Sequence, residues 1–193
     1  MNKQPDILLE PASSQAKIIM LALTVGLPFF LTCLAFAFAA AKNQSVKSLV
    51  ANSLPITIVI VLLAEILLTT ALWYFLSLAM NRHRIEWQRD DFSVLTSFYK
   101  QHYLRGDLLL DAAIIVNLEN DKEHRPFLKT NGYAVPGFRS GWFRLRNRQS
   151  AFCALGPGKR VLMIPTQKGH YLMLGTKAPE QALEQLRAWA IEA

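Results

Sequence analysis

The stretch LPITIVIVLLAEILLTTALWYFLSLAM, residues 54–80, holds 27 residues and a single charge, at Glu65. Upstream, residues 18–41 form a second run of 24 residues without any charge. A helix that crosses a bilayer needs about 20 apolar residues, and its backbone must satisfy its own hydrogen bonds there. Both runs therefore predict membrane-spanning helices, and residues 18–80 are expected to form a transmembrane helical hairpin.

The composition of the whole chain agrees with a membrane protein. Of its 193 residues 52% are hydrophobic and only 18% are charged, and the mean hydropathy is +0.20. Soluble domains are typically about 25% charged. The two cysteines, Cys33 and Cys153, both lie in apolar surroundings, which excludes a disulfide scaffold and a zinc site built from clustered cysteines.

The positive charges predict the orientation in the membrane. Residues 81–89 carry three arginines, whereas residues 42–53, between the two helices, carry two lysines. Since positive charge accumulates on the cytoplasmic side, residues 82–193 are expected in the cytoplasm. Two crossings then place the N-terminal tail, residues 1–17, in the cytoplasm as well.

The first helix ends in AFAAA, residues 37–41, which resembles a signal-peptidase site. Cleavage there is the less favoured interpretation. The preceding tail carries Asp6 and Glu10 instead of a short basic region, and the apolar run exceeds the usual 7–15 residues of a signal peptide. We therefore expect the first helix to stay in the protein.

Glu65 is the one charged residue within the two apolar runs. A charge at a helix centre costs about 2.5–3.5 kcal/mol on insertion scales. One interpretation is a proton site or a polar contact to a partner helix. The other is a protonated carboxyl group that hydrogen-bonds Thr69, or Thr24 or Thr32 of the first helix, and this second interpretation is favoured because no further relay residue is present.

After Met80 the hydrophobic pattern changes to one typical of short strands. Residues 85–88 and 92–96 flank Arg89-Asp90-Asp91 and predict a hairpin, and residues 99–103 are expected to continue its second strand. Further strands are predicted at residues 113–118, 142–146, 150–155, 160–164 and 171–174. The turns between the last four are short, so these strands are expected to be antiparallel neighbours. About seven strands are expected in total.

The chain ends in a predicted amphipathic helix. Pro179 suits its first turn, and one face carries Ala182, Leu183, Leu186, Trp189 and Ala190. A helix of this kind would close one end of a small barrel.

An ordered set of short motifs lies in the second half of the chain. Its members are Thr130-Asn131-Gly132-Tyr133, Val135-Pro136-Gly137-Phe138, Gly141-Trp142-Phe143-Arg144-Leu145-Arg146, Ala151-Phe152 and Ile164-Pro165-Thr166. The set resembles a family of bacterial membrane proteins with two N-terminal helices and a cytoplasmic pleckstrin-homology (PH)-like domain. The resemblance covers the helical hairpin and most of residues 82–193. The turn Asn147-Arg148-Gln149 departs from the pattern of the family.

The resemblance implies an α+β membrane protein in which a transmembrane hairpin precedes a PH-like small antiparallel β-barrel or sandwich with a closing C-terminal helix. It also implies a multi-pass protein of the bacterial inner membrane and no established catalytic activity. The residues between positions 130 and 141 contain three glycines and a proline. We interpret them as a 12-residue structural connection, with a ligand-binding loop as the alternative.

The distribution of basic residues identifies the candidate site. Between Glu123 and Glu180 there are ten basic residues and no acidic one. Strand alternation places Arg144 and Arg146 on the same face as Trp142. The candidate residues for binding lipid or a partner are Arg139, Trp142, Arg144, Arg146, Lys159 and Arg160. Beside an anionic leaflet each basic residue is worth about 1 kcal/mol, so the sequence predicts contact with anionic headgroups or a membrane partner; the alternative is a solvated basic face.

Other functions find little support. The four histidines are scattered, no phosphate-binding loop is complete, and no metal-ligand spacing occurs, so neither an enzyme nor a cofactor is predicted. Nucleic-acid binding is disfavoured because the aromatic RNA-binding motif is absent. The remaining alternative is a structural or accessory subunit, or a homo-oligomer, assembled through Glu65 or the small residues of the first helix.

Overall fold

The computed structural model describes residues 5–41, 54–88 and 90–191. Within this part, the chain is an α+β protein with two apolar helices, two sheets and a C-terminal helix. It divides into two compact units. One is Lys17–Leu78, and the other combines Met1–Ala16 with Ala79–Ala193.

The first apolar helix comprises α1 (Ser14–Leu21), a π-helical turn (Ala22–Gly26) and α2 (Leu27–Ala41). It begins four residues before the predicted start, because the Ser13 hydroxyl accepts the Ala16 N–H at 3.0 Å and caps the first turn. The second apolar helix, α3, spans Leu54–Asn81. Both are long and apolar enough to cross a membrane, as the sequence predicts.

The π-helical turn ends at Gly26, two residues before Pro28. Proline has no N–H to donate into the helix, and helix distortions commonly occur at proline and at π-bulges. Here the N–H of Leu27 donates to the carbonyl of Ala22, five residues back. The Thr24 hydroxyl donates to the Met20 carbonyl at 2.7 Å, so the side chain remains satisfied inside the apolar segment.

The smaller sheet is an antiparallel meander of three strands. They are β1 (His83–Trp87), β2 (Asp91–Thr96) and β3 (Tyr99–Leu104). Trp87 pairs with Phe92, so the predicted hairpin is confirmed. Residues 99–103 do not continue its second strand; the chain turns after Thr96, and they form β3, which pairs antiparallel with β2. Arg89, at its tip, lies outside the described residues.

The larger sheet has six strands and is mixed. Its members are β4 (Ile114–Asn117), β5 (Pro126–Val135), β6 (Phe138–Leu145), β7 (Ser150–Leu155), β8 (Arg160–Pro165) and β9 (Tyr171–Leu174). The spatial order is β4-β8-β9-β7-β6-β5. The described residues therefore form nine strands in two open sheets, and a closed barrel is not confirmed.

Two sequence-based predictions about this sheet are wrong. The connection expected between positions 130 and 141 is largely strand, since β5 and β6 pair through it from Val135–Phe138 to Pro126–Leu145. In addition, β7 and β8 are not neighbours. The last strand, β9, lies between them, antiparallel to β8 and parallel to β7.

The six-stranded sheet buries side chains on both faces. Along β7, Phe152 and Ala154 belong to one apolar cluster, and Ala151, Cys153 and Leu155 belong to another. The first cluster also contains residues of the three-stranded sheet and of α4 (Pro179–Ile191). The predicted apolar face of α4 is confirmed by the burial of Ala182, Leu186 and Trp189.

The segment before α1 is part of the sheet unit. Ile7 and Leu9 are buried and belong to the first cluster. Leu9 pairs with Thr176 in an isolated antiparallel bridge, and the Glu10 N–H donates to the Gly175 carbonyl at 2.8 Å. Residues that the sequence indicated only as a tail therefore complete the core.

Candidate functional site

The basic residues proposed from the sequence divide between the two faces of the larger sheet. On β6, Arg139 is opposite Leu155 of β7, on the face of the second apolar cluster. Trp142 is opposite Phe152, on the face of the first cluster, and Arg144 shares the face of Trp142. The predicted alternation along β6 is therefore correct, but Arg139 lies on the other face.

Arg139 and Lys159 line one cleft of about 240 Å³. We call it the basic cleft. Its walls are formed by residues 118–119, Arg125, residues 137–139 and residues 156–159. Arg125 is the third cation of this cleft, and the sequence did not select it for the site.

The three cations of the basic cleft differ in their partners. Arg125 donates through Nε to the Leu118 carbonyl and through Nη2 to the Glu119 carbonyl, the latter at 2.9 Å. Lys159 Nζ lies 2.8 Å from Glu119 Oε1. Arg139 is exposed, and among the described residues no carboxylate pairs with it. The cleft therefore contains three positive charges and one negative charge.

The N-terminal segment borders the basic cleft. The Gly158 N–H donates to Glu10 Oε2 at 2.6 Å. A side chain at Gly137 would strike the Ser13 hydroxyl. Since Ser13 caps α1, the loops of the cleft lie beside the residues that lead into the first apolar helix.

Trp142 is not part of the basic cleft. Its ring packs against Phe152 at 5.4 Å and against His170 at 4.8 Å between centroids, where it supports the first cluster. Burial lowers the pKa of His170. Trp142 thus has a packing role in this fold.

The other predicted cations lie apart from the cleft. Arg160 forms an ion pair with Glu180 at the start of α4. The Arg146 guanidinium lies over the ring of Phe127, 5.4 Å from its centroid. Arg144 is exposed. Of the six predicted residues, Arg139 and Lys159 line the basic cleft.

Glu65 contacts the first apolar helix. The Thr32 hydroxyl donates to Glu65 Oε1 at 2.9 Å, and the Thr69 hydroxyl donates to the Glu65 carbonyl at 2.7 Å. The predicted hydrogen bond to a threonine is therefore present. Within the described residues the second carboxylate oxygen, Oε2, has no partner.

One serine–histidine–aspartate arrangement was not visible in the sequence. Across β2 and β3, Ser93 Oγ lies 3.3 Å from His102 Nδ1, and His102 Nε2 lies 3.4 Å from Asp91 Oδ2. Ser93, however, is only 2% exposed, so its hydroxyl has no access to a substrate. Burial also raises the pKa of the Cys153 thiol, which opposes formation of a nucleophilic thiolate.

No metal-binding constellation occurs in residues 5–41, 54–88 and 90–191, where no three His, Cys, Asp or Glu side chains come together. Comparisons with protein families, with curated proteins and with solved structures found no match to this chain.

Proposed function

We propose that this chain is a non-catalytic, multi-pass protein of the bacterial cytoplasmic membrane whose PH-like domain contacts anionic lipid headgroups through basic side chains. The observation that carries the proposal is the position of the basic cleft. It borders Glu10 and Ser13, which directly precede an apolar helix long enough to cross a bilayer.

The orientation is supported by the core of the sheet unit. Leu9 pairs with Thr176, and Ile7 is buried in the same cluster as α4. A segment before the first apolar helix and a segment after the second can meet only on one side of a membrane. Together with the arginines of residues 81–89, this favours two crossings with both ends in the cytoplasm.

The same contacts favour retention of the N-terminal segment. Cleavage after residue 41 would remove Ile7 and Leu9 from the core, with a cost of about 2–5 kcal/mol for each buried side chain of this size.

A PH-like architecture is supported by the element order. The strands, which pair antiparallel except for β7 with β9, are followed by one helix, α4, that packs Leu186 and Trp189 into the cluster shared by both sheets. Fold alone does not determine the ligand. The proposed ligand therefore rests on the local charge and on the nearby apolar helix.

The test compares the full chain in two kinds of nanodisc. One is phosphatidylcholine alone, and the other is equal parts phosphatidylcholine and phosphatidylglycerol. Hydrogen exchange is followed by mass spectrometry over residues 82–191. We expect slower exchange around the exposed arginines and lysines of the sheet unit only in the anionic discs. This protection should be lost at high salt, because exposed charges are screened.

Equal exchange in both discs would contradict the lipid contact. Crosslinking in native membranes would then decide whether the chain assembles with a partner or with itself through its helices.

A further inference from the structure

We propose that the basic cleft binds the phosphate of an anionic lipid headgroup, and that Arg139, Lys159 and Arg125 form the site while Arg144, Arg146 and Arg160 do not. This proposal rests on the proposed function and names the site within it. The proposed site lies on the face of the larger sheet that carries Arg139, whereas the candidates chosen from the sequence lie on both faces.

The first argument is charge. Three cations line the basic cleft, and Glu119 is the acidic side chain among its lining residues. Lys159 pairs with Glu119, and the Glu10 carboxylate lies on Gly158 in the wall of the cleft, so one of the three positive charges remains uncompensated. Arg160, in contrast, is paired with Glu180 outside the cleft. A monoanionic phosphate, such as the phosphodiester of a lipid headgroup, would balance the charge that remains.

The second argument is preorganisation. Arg125 bonds two main-chain carbonyls, at Leu118 and Glu119, and no carboxylate among the described residues pairs with it. The guanidinium is therefore held in place while its charge stays available. Guanidinium groups match the geometry of phosphate oxygens, and fixing one beforehand reduces the entropy lost on binding.

The third argument concerns the wall of the cleft formed by residues 156–158. Gly158 donates its N–H to Glu10, and any side chain at Gly158 would collide with the Glu10 carboxylate. The loop is thereby tied to the segment that leads into α1. Neither glycine of this loop contributes a side chain to the cavity.

The fourth argument favours a lipid over a free anion. A side chain at Gly137 would touch Ser13, the residue that caps α1. The first residue of the uncharged run, Ile18, follows five positions later. The cleft therefore borders chain that leads within five residues into a predicted membrane span, and anionic lipids are concentrated at the cytoplasmic face of such a span.

The test uses the full chain in phosphatidylcholine nanodiscs, titrated with short-chain phosphatidylglycerol. Protection of residues 137–139 and 156–159 from hydrogen exchange is the readout. We expect Arg139→Gln to weaken the apparent affinity about five-fold and Arg139→Gln with Lys159→Gln to weaken it about 25-fold. Arg144→Gln is the matched control, because Arg144 is also exposed and also lies on β6, but on the other face. It should change the affinity less than two-fold.

The outcomes separate the two proposals. Lipid-dependent protection that Arg144→Gln weakens as strongly as Arg139→Gln would overturn the site and leave the proposed function intact. No response of the unaltered chain to phosphatidylglycerol would overturn both. Equal protection by inorganic phosphate at the same concentration would overturn the lipid headgroup as the ligand. Since Arg139 and Lys159 are exposed, the variants should retain the melting temperature of the parent, which is measured alongside.

Discussion

The helical unit and the sheet unit of this protein place the same side chains in opposite environments. In the helical unit, Phe30 is 61% exposed, and the polar contact between Thr32 and Glu65 joins the two helices. In the sheet unit, Phe92 is fully buried among aromatic rings, and the charged residues lie outside. One rule accounts for both arrangements if the helices are surrounded by lipid and the sheets by water, because each surface then matches its solvent.

The helical unit and the sheet unit also differ in the interactions that stabilise them. Apolar side chains gain little by leaving lipid for the contact between two helices, so such contacts depend on packing and hydrogen bonds. In water, burial of apolar area is the dominant favourable term. Substitutions of the same kind should therefore have large effects in the sheet unit and small effects in the helical unit.

The largest effect is expected at Phe92, whose ring lies 5.0 Å from that of Trp87 and 5.8 Å from that of Trp189. Phe92→Ala should lower the free energy of unfolding of the sheet unit by about 3–5 kcal/mol, since it leaves a cavity where the two sheets meet. Denaturant titration of the full chain in detergent, followed by tryptophan fluorescence, measures it. Phe30→Ala is the matched control and should shift this transition by less than about 0.5 kcal/mol. Equal shifts for Phe92→Ala and Phe30→Ala would contradict the expected difference between the two units.

A second contrast lies within two adjacent residues. Leu9 is 8% exposed and Leu8 is 74% exposed. Leu9→Ala should cost the sheet unit about 2–5 kcal/mol, because Leu9 belongs to the core despite its position before α1. Leu8→Ala should leave stability within about 0.5 kcal/mol. The same unfolding assay applies, and an unaffected Leu9→Ala variant would show that residues 5–12 are a tail after all.

The third prediction concerns pH. Burial lowers the pKa of His83 from 6.5 to about 4, and its Nδ1 lies 2.8 Å from Thr96 Oγ1. The unfolded chain takes up the proton first as the pH falls, so stability is complete above pH 6.5 and declines between 6.5 and 4. The loss attributable to His83 should reach about 3 kcal/mol. It is measured as the difference in pH dependence between the parent and His83→Gln, which keeps a hydrogen-bonding group; superimposable pH profiles would contradict it.

The smallest effect is expected in the helical unit. Thr32→Val removes the hydroxyl that donates to Glu65 and keeps the side-chain volume. Interhelical hydrogen bonds in membranes contribute about 0.6 kcal/mol on average. Helix separation, measured by steric trapping in bicelles, should become easier by about this amount. Thr69→Val, on the other apolar helix, provides the comparison, because it removes a hydroxyl that donates to a carbonyl of its own helix. A loss above about 2 kcal/mol at Thr32 would show that this carboxyl contact organises the helix pair far more than its geometry suggests.

The helices could be predicted from the sequence because their determinant is local. Twenty or more apolar residues suffice for a helix in lipid, whatever the rest of the chain does. The hairpin of β1 and β2 and the buried face of α4 were also readable from short-range patterns.

The strand β5 was missed because Gly132, together with Gly137 and Gly141, was interpreted as part of a connection. Gly132 and Gly141 are direct partners across β5 and β6. A side chain at Gly132 would come within 2.7 Å of the Ser140 carbonyl, so glycine is required inside this strand pair. Composition alone cannot distinguish this close approach from a turn.

The order of strands and the site depended on long-range pairing. The residues of β9 are almost wholly apolar, and nothing in them indicates that they pair with β7 as well as β8. Likewise, Arg139 and Lys159 were recognisable as basic residues of the candidate surface. That they share a cleft with Arg125 follows only from the loops that the folded sheet brings together.

The hydrogen bond between Glu10 and Gly158 also has a consequence for synthesis. Its partners are 148 residues apart. At about 5–20 residues per second on the ribosome, Glu10 is made roughly 7–30 s before Gly158. During that interval both apolar helices are translated, while Leu9 still lacks Thr176, its partner in the isolated bridge. The N-terminal segment of the nascent chain therefore stays unpaired while the helices are inserted. Its contacts with Gly158 and Thr176 form only when nearly the whole protein has been made.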